Sequence, residues 1–286
     1  MRAAFGLLPR SAVRAAIRQF PRLAVGAPPG IEVRSTAFLG QFTVLLDTSS
    51  CVERSMFRGT YEPGNVHVIR TNVRPGDRCI DVGANVGAMA FAMAQAVGPD
   101  GRVYAFEPGP PFFERLTRNV SLNPSCADVI VCENLGVSDT SGTLRWAEDT
   151  AELGKGNGGV VASGGVEIPV TTLDAYAAAK VEGRIAFIKV DVEGWELHVL
   201  QGARALLREH RPVVLLETLP EFDVQQGGRF FTGLLQLFRE CAYDVYGVNP
   251  SGATFPVQEL GVSQMTLARP RQLSANPDGR QGDAAR

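Results

Sequence analysis

Three features of the 286-residue sequence predict an α/β fold, a largely parallel sheet covered by helices on both faces. Short apolar runs alternate with helical stretches of about ten residues from residue 78 onward, the pattern of strands joined by crossover helices. A glycine-rich turn, Asp81-Val82-Gly83-Ala84-Asn85-Val86-Gly87, follows the first of these runs directly and opens a helix. An acid, Glu107, closes the next run 24 residues after Gly83, which is the spacing of a Rossmann-like sheet.

The elements follow in order. Residues 31–77 form a mixed preamble, with a strand over 42–46 and two short helices after it. Residues 79–82 make a short strand ending in the glycine turn, and the small apolar stretch 88–97 makes a buried helix. A second strand spans 102–106 and a helix 112–122, with prolines near its first turn. Further strands span 129–131, 185–190 and 212–216; helices over 194–208 and around 231–240 follow the last two. Residues 243–248 and 264–268 supply the final strands. Between 141 and 171 the alternation breaks in a segment holding Gly142, Gly154, Gly156, Gly158, Gly159, Gly164 and Gly165. Such an insertion is either a plain hairpin or a lid over the acceptor.

The boundaries are then an N-terminal arm and preamble at 1–58, one domain at 59–269, and a tail at 270–286 expected to be disordered. The arm carries Arg2, Arg10, Arg14, Arg18 and Arg22 and no acid, with Val13, Ala16, Ile17 and Phe20 at helical spacing. It reads as a transit peptide, as a helix on an anionic membrane surface, or as a segment packed on its own domain. At most weak membrane contact through residues 1–25 is expected. A formal charge of −2, with no basic block in the body, argues against a nucleic-acid partner. Five cysteines without a CxxC pair give neither a disulfide framework nor a zinc knuckle, so the default location is the cytoplasm.

The glycines of the turn allow close approach of backbone to a ligand. Asn85 stands where a dinucleotide fingerprint has its middle glycine, which leaves less room for a pyrophosphate. Asp81 is placed to meet an ammonium group, and Glu107 can take both hydroxyls of a ribose. A third motif, Ile188-Lys189-Val190-Asp191-Val192-Glu193-Gly194-Trp195-Glu196, ends the strand at 185–190. Alternation puts Lys189 and Asp191 on the same side. Acids at a helix N-terminus favour the macrodipole, which explains Glu193 or Glu196 but not a lysine inside a buried strand. Glu217 closes the next strand at the same carboxyl edge, where open α/β sheets bind ligands. His67, His198 and His210 offer no base, and Trp195 reads as a packing residue at a helix start.

Taken together, the chain resembles the FkbM-type methyltransferases. The resemblance rests on Gly59-Thr60-Tyr61-Glu62, Arg74-Pro75-Gly76-Asp77, the 81–87 turn, Val103 to Pro108, Asn119 and Asn123, Thr172-Leu173-Asp174, residues 188–197, and Leu200-Gln201-Gly202-Ala203. It covers about residues 59–248. It implies a seven-strand class I methyltransferase sheet and S-adenosylmethionine as cofactor. Transfer would be to a hydroxyl of a sugar, glycolipid or secondary metabolite, so a small-molecule or glycan acceptor. By the same resemblance Tyr61, Asp81, Gly83, Ala84, Asn85, Gly87, Glu107, Pro108, Asn134 and Ser138 surround the cofactor, with Asn134 near the adenine.

An alcohol acceptor must lose a proton during attack, which suits a carboxylate. Asp191 or Glu193 fills that role first, with Lys189 orienting the chosen acid and Glu62 and Glu217 next in line. A magnesium ion could activate the hydroxyl instead, but metal-free catalysis is the expectation. Two rivals remain: a nicotinamide-dependent oxidoreductase, which should show GxGxxG and a catalytic Tyr or His, and a catalytically inactive binding module.

Overall fold

The computed structural model describes residues 32–148, 158–261 and 265–272. The arginine-rich arm and most of the tail lie outside the described residues. The chain begins with a hairpin of β1 (Glu32–Phe38) and β2 (Phe42–Asp47), paired antiparallel with Glu32 opposite Asp47. The strand β1 was not anticipated, because its mixed polar composition carries no clear alternation. Helices α1 (Cys51–Arg58) and α2 (Pro63–Asn72) follow as expected.

The central sheet holds eight strands in the order β13-β12-β14-β11-β10-β3-β4-β5. Its parallel half consists of β3 (Arg78–Val82), β4 (Arg102–Phe106), β5 (Ile130–Glu133), β10 (Ile185–Val190) and β11 (Val213–Glu217). Helices α3 (Ala88–Val97) and α4 (Pro110–Ser121), the short α5 (Pro124–Ala127) and α6 (Leu173–Lys180) lie between these strands. The other end is antiparallel: β12 (Tyr243–Val248) and β14 (Met265–Pro270) pair with each other, and β14 inserts beside β11. A fully parallel sheet needs a crossover helix of a dozen or more residues. The chain from β12 to β14 instead turns back through the edge strand β13 (Thr254–Pro256). Seven strands with this inverted end form the class I methyltransferase sheet, and β13 is an addition at its edge.

The single helix expected over 194–208 is two helices, α7 (Glu196–Gln201) and α8 (Arg204–Glu209). The break falls at Gly202, where a Cβ would lie 2.1 Å from the Ser138 carbonyl oxygen, so chain and loop cross in contact. Asp174 then caps α8, accepting from the Leu206 and Ala205 amides at 2.8 and 3.0 Å. Helices α9 (Pro220–Gln225) and α10 (Phe230–Glu240) close the second face.

Apolar cores fill both faces of the sheet. Phe42, Leu46, Val68, Met89 and Phe91 belong to one; Ile80, Phe106, Ile188, Leu200 and Phe238 belong to the other. Asn119 and Asn123 fasten the N-terminal hairpin to the first core. Asn119 Oδ1 accepts from the Leu45 amide and Asn123 Oδ1 from the Thr43 amide, each at 2.8 Å. Asn119 also donates to the Val86 carbonyl at 3.0 Å, so the hairpin is tied to the glycine turn.

The glycine-rich insertion is a second sheet. Strands β7 (Gly142–Glu148), β8 (Gly158–Val160) and β9 (Val166–Thr171) pair antiparallel, and the two-residue β6 (Gly136–Val137) joins β9. No helix among the described residues is long and apolar enough to cross a membrane.

Candidate active site

The carboxyl ends of β3, β4, β10 and β11 open into a cleft enclosing about 1060 Å³ of empty space, its open mouth included. Its floor is the glycine turn. Gly83 has φ 81° and faces the Asp191 carbonyl so closely that a Cβ would sit 1.9 Å from that oxygen. Gly87 also lies in the left-handed region, at φ 102°, and Asn85, a non-glycine residue, joins them at φ 51°. The amides of Gly83 and Ala84 both donate to the Phe106 carbonyl, at 3.0 and 2.9 Å, which locks the turn onto β4.

Glu107 lines the cleft at the next strand end and is only 5% exposed. Its oxygens accept from the Asn85 and Gly109 amides, each at 2.8 Å, so it bridges the two loops. Burial raises its pKa to about 7, against the lowering effect of those two amides. Asn134 does not line the cleft. Its amide donates to the Glu107 and Pro108 carbonyls at 2.9 and 3.2 Å and pins this strand end, while Leu135 and Gly136 supply the wall there. Pro108 is part of that wall. Ser138 is buried behind it and accepts from the Trp195 indole nitrogen at 3.2 Å.

Lys189 and Asp81 lie one layer below the cleft. Lys189 Nζ is 2.9 Å from Asp191 Oδ2 and 3.9 Å from Asp81 Oδ1. Burial alone would lower the Lys189 pKa, but the Asp191, Asp81 and Glu62 charges outweigh it and hold the ammonium charged. Asp81 is fully buried, and neither of its oxygens meets a hydrogen-bond partner at normal geometry. Burial brings its pKa to about 6 despite Lys189.

Tyr61, Glu62, Asp191, Glu193 and Glu217 line one end of the cleft together. Glu62 sits at the N-cap of α2 in the left-handed region, φ 40° and ψ 54°, immediately before Pro63. A residue preceding proline normally stays extended, so this backbone is strained in a way that aims one side chain. Glu62 Oε2 accepts from Asn65 Nδ2 at 2.7 Å, and the Tyr61 hydroxyl also hydrogen-bonds the Glu62 carboxylate. Burial raises the Glu62 pKa, the Lys189 charge lowers it, and Asp191 raises it further. Burial, then the Glu62 charge, push the Tyr61 hydroxyl well up. Glu193 has φ 54°, the third non-glycine residue at the cleft in the left-handed region.

Glu196, by contrast, is a structural acid. It is wholly buried, and its Oε1 accepts from the Val192 and Gly194 amides at 3.0 and 3.3 Å. His198 stacks on Trp195 with ring centroids 4.0 Å apart and lies 3.2 Å from Asp139.

The sequence singles out no individual residue of the other half of the cleft. Phe112 from α4 and Leu144, Trp146, Val160, Ile168 and Val170 from the inserted sheet make an apolar wall. Residues 141–171 read in the sequence only as a hairpin or a lid; Trp146 is the one aromatic residue in that stretch.

A family model described as the Methyltransferase FkbM domain matches residues 81–245. The chain belongs to this family. Among curated proteins it is 30% identical over 135 residues to the hexuronic acid methyltransferase AglP of Haloferax volcanii, covering 47% of this chain and 53% of that protein. It is 29% identical over 154 residues to the methyltransferase sdnD of Sordaria araneosa, with 43% and 59% covered. The matches thus span between half and three fifths of these relatives. A solved FkbM methyltransferase from Methylobacillus flagellatus KT aligns over 76% of this chain and 54% of that one, at 18% identity and a TM-score of 0.45.

The FkbM family is S-adenosylmethionine-dependent, which makes S-adenosylmethionine the cofactor of this cleft. The nicotinamide alternative falls with that membership. The residues fit the cofactor: a glycine turn whose Gly83 and Asn85 line the cleft, a buried acid at Glu107, and the carboxylates of Glu62, Asp191 and Glu217 for a cationic group. Glu107→Ala removes an acceptor for ribose hydroxyls and the bridge between two loops. Calorimetry should show S-adenosylhomocysteine binding weakened by about 1.5–3 kcal/mol, the range for hydrogen bonds to a charged group. Unchanged affinity would remove Glu107 from the cofactor site.

Proposed function

We propose that the protein methylates a hydroxyl group of a sugar, a glycolipid or a sugar-like secondary metabolite. The observation that carries this reading is the polar end of the cleft, where Tyr61, Glu62, Asp191, Glu193 and Glu217 meet beside the glycine turn. A polyol needs several hydrogen-bonding side chains around it, and these five residues offer them. The hexuronic acid activity in a relative's name agrees with a sugar acceptor.

S-Adenosylmethionine supplies an electrophilic methyl carbon on a sulfonium centre. The chain's own residues must hold the acceptor oxygen in line with that carbon and remove its proton. Glu62 is the base. Its carboxylate is buried, and its raised pKa brings it toward neutral pH, where a base is most effective. Asp191, expected beforehand to be the base along with Glu193, is held by Lys189 and orients the acceptor. Tyr61 positions Glu62 through their shared hydrogen bond.

The test compares glycans and metabolites of a strain with and without the gene. A species one CH₂ lighter should accumulate when the gene is lost, and the methyl group it lacks should be stable to mild alkali, as an ether is. A methyl found on nitrogen, or on a carboxylate as a labile ester, would sink the reading.

A further inference from the structure

The inserted sheet was expected to be a lid over the acceptor, or a plain hairpin. Its packing suggests a different role. Trp146 is the buried residue of β7, 5% exposed, and it is part of the cleft wall. Its indole packs edge to face on Phe112, ring centroids 5.8 Å apart at 81°. Two glycines make space for it. A Cβ at Gly109 would lie 2.5 Å from Trp146 Cζ2, and one at Gly158 would lie 2.1 Å from the same atom.

Gly109 also fixes where this slot sits. The same hypothetical Cβ would be 2.9 Å from Glu107 Oε1, and the Gly109 amide donates to that oxygen at 2.8 Å. The indole therefore flanks the Glu107 carboxylate across Gly109. Around it the wall is Phe112, Leu135, Gly136, Ile168 and Val170, without a charged side chain. A flat apolar slot beyond a ribose-binding acid suits a purine, whose π-face gains most from an aromatic neighbour and whose burial there leaves no charge unpaired.

We infer that Trp146 forms the aromatic wall of the adenine subsite, so that the inserted sheet is part of the cofactor site. The inference rests on Glu107 being the ribose carboxylate.

The chain has two tryptophans, Trp146 and Trp195. In the full-length Trp195→Phe protein the emission reports Trp146 alone. Titration with S-adenosylhomocysteine should change that emission along the binding curve. Adenosine should do the same and methionine should not. Trp146→Ala should weaken S-adenosylhomocysteine and adenosine by a common factor, on the order of tenfold, the usual loss when a stacking ring is removed. Trp146→Phe should cost less than about threefold. Loss of structure in the alanine variant would weaken all ligands alike, and circular dichroism would reveal it; the phenylalanine variant and the emission titration then decide. Calorimetric saturation by S-adenosylhomocysteine with silent Trp146 emission, or equal weakening of adenosine and methionine in a folded variant, overturns the inference. A Glu107→Ala variant that binds S-adenosylhomocysteine as tightly as the wild type overturns the ribose assignment instead, which separates the two failures.

Discussion

Glu62→Gln is expected to lower kcat by about 10²–10⁴-fold, the contribution of a positioned general base, with S-adenosylhomocysteine affinity nearly unchanged. The substitution keeps the shape and one hydrogen-bonding oxygen, so Asn65 and Tyr61 retain a partner and the loss isolates the proton acceptor. The pH profile adds a readout that a packing defect would not move. Burial, partly offset by Lys189 and reinforced by Asp191, raises the Glu62 pKa above its ordinary 4.5. The base is active only when ionised, so wild-type kcat should fall as the pH drops through a value above the ordinary one. Glu62→Gln should lose that limb. Asp191→Asn should also slow turnover, by less, because it disturbs the acceptor and the Lys189 pair without removing the base. If Glu62→Gln keeps full turnover while Asp191→Asn or Glu193→Gln loses it, the base is the one the strand motif first suggested. If a chelator abolishes activity and magnesium restores it, the acids hold a metal. Absence of turnover with every hydroxyl acceptor, despite tight cofactor binding, would leave the inactive module standing.

The two halves of the cleft differ in how legible they were. The floor was readable because its constraints are local. A strand, a turn needing left-handed residues and an acid at the next strand end are each fixed by a few neighbouring residues, and Gly83, Asn85 and Glu107 stand where their spacing puts them. Lys189 and Asp191 were readable because strand alternation alone places them on one side. Glu62 entered only through resemblance. Its position depends on an improbable backbone before Pro63, which no periodicity rule anticipates. The apolar wall was legible only as a hairpin or lid, with none of its residues singled out, because strands β7 to β9 lie outside the main alternation and meet the cleft through tertiary packing of Trp146 and its neighbours. The split of the 194–208 helix was hidden for a similar reason: Gly202 is required by contact with a carbonyl 64 residues away in sequence, at Ser138.

Lys189→Met is the substitution expected to cost most in folding, about 3–5 kcal/mol, the penalty for leaving a buried charge without its partner. The lysine is 2% exposed and stands between Asp191 at 2.9 Å and Asp81 at 3.9 Å. Methionine fills the same volume, so the loss reports charge rather than a cavity. Its pH dependence follows from the acid left behind. Asp81 already titrates at about 6, against 3.8 when unperturbed, because burial outweighs Lys189. Without the lysine its folded pKa rises further. A carboxyl whose folded pKa exceeds its unfolded value contributes stability that is fully present below the unfolded value and is lost as pH rises through the folded one. The variant should therefore lie furthest below wild type near pH 8 and recover part of the difference near pH 5, where Asp81 takes up a proton. Urea unfolding at both pH values measures this directly. Adding Asp81→Asn should restore much of the loss at pH 8, since the neutral amide removes the unpaired charge. A deficit that is the same at both pH values and is not relieved by Asp81→Asn would mean that Lys189 supports the sheet by packing of its stem, with no energetic coupling to the carboxylate beneath the glycine turn.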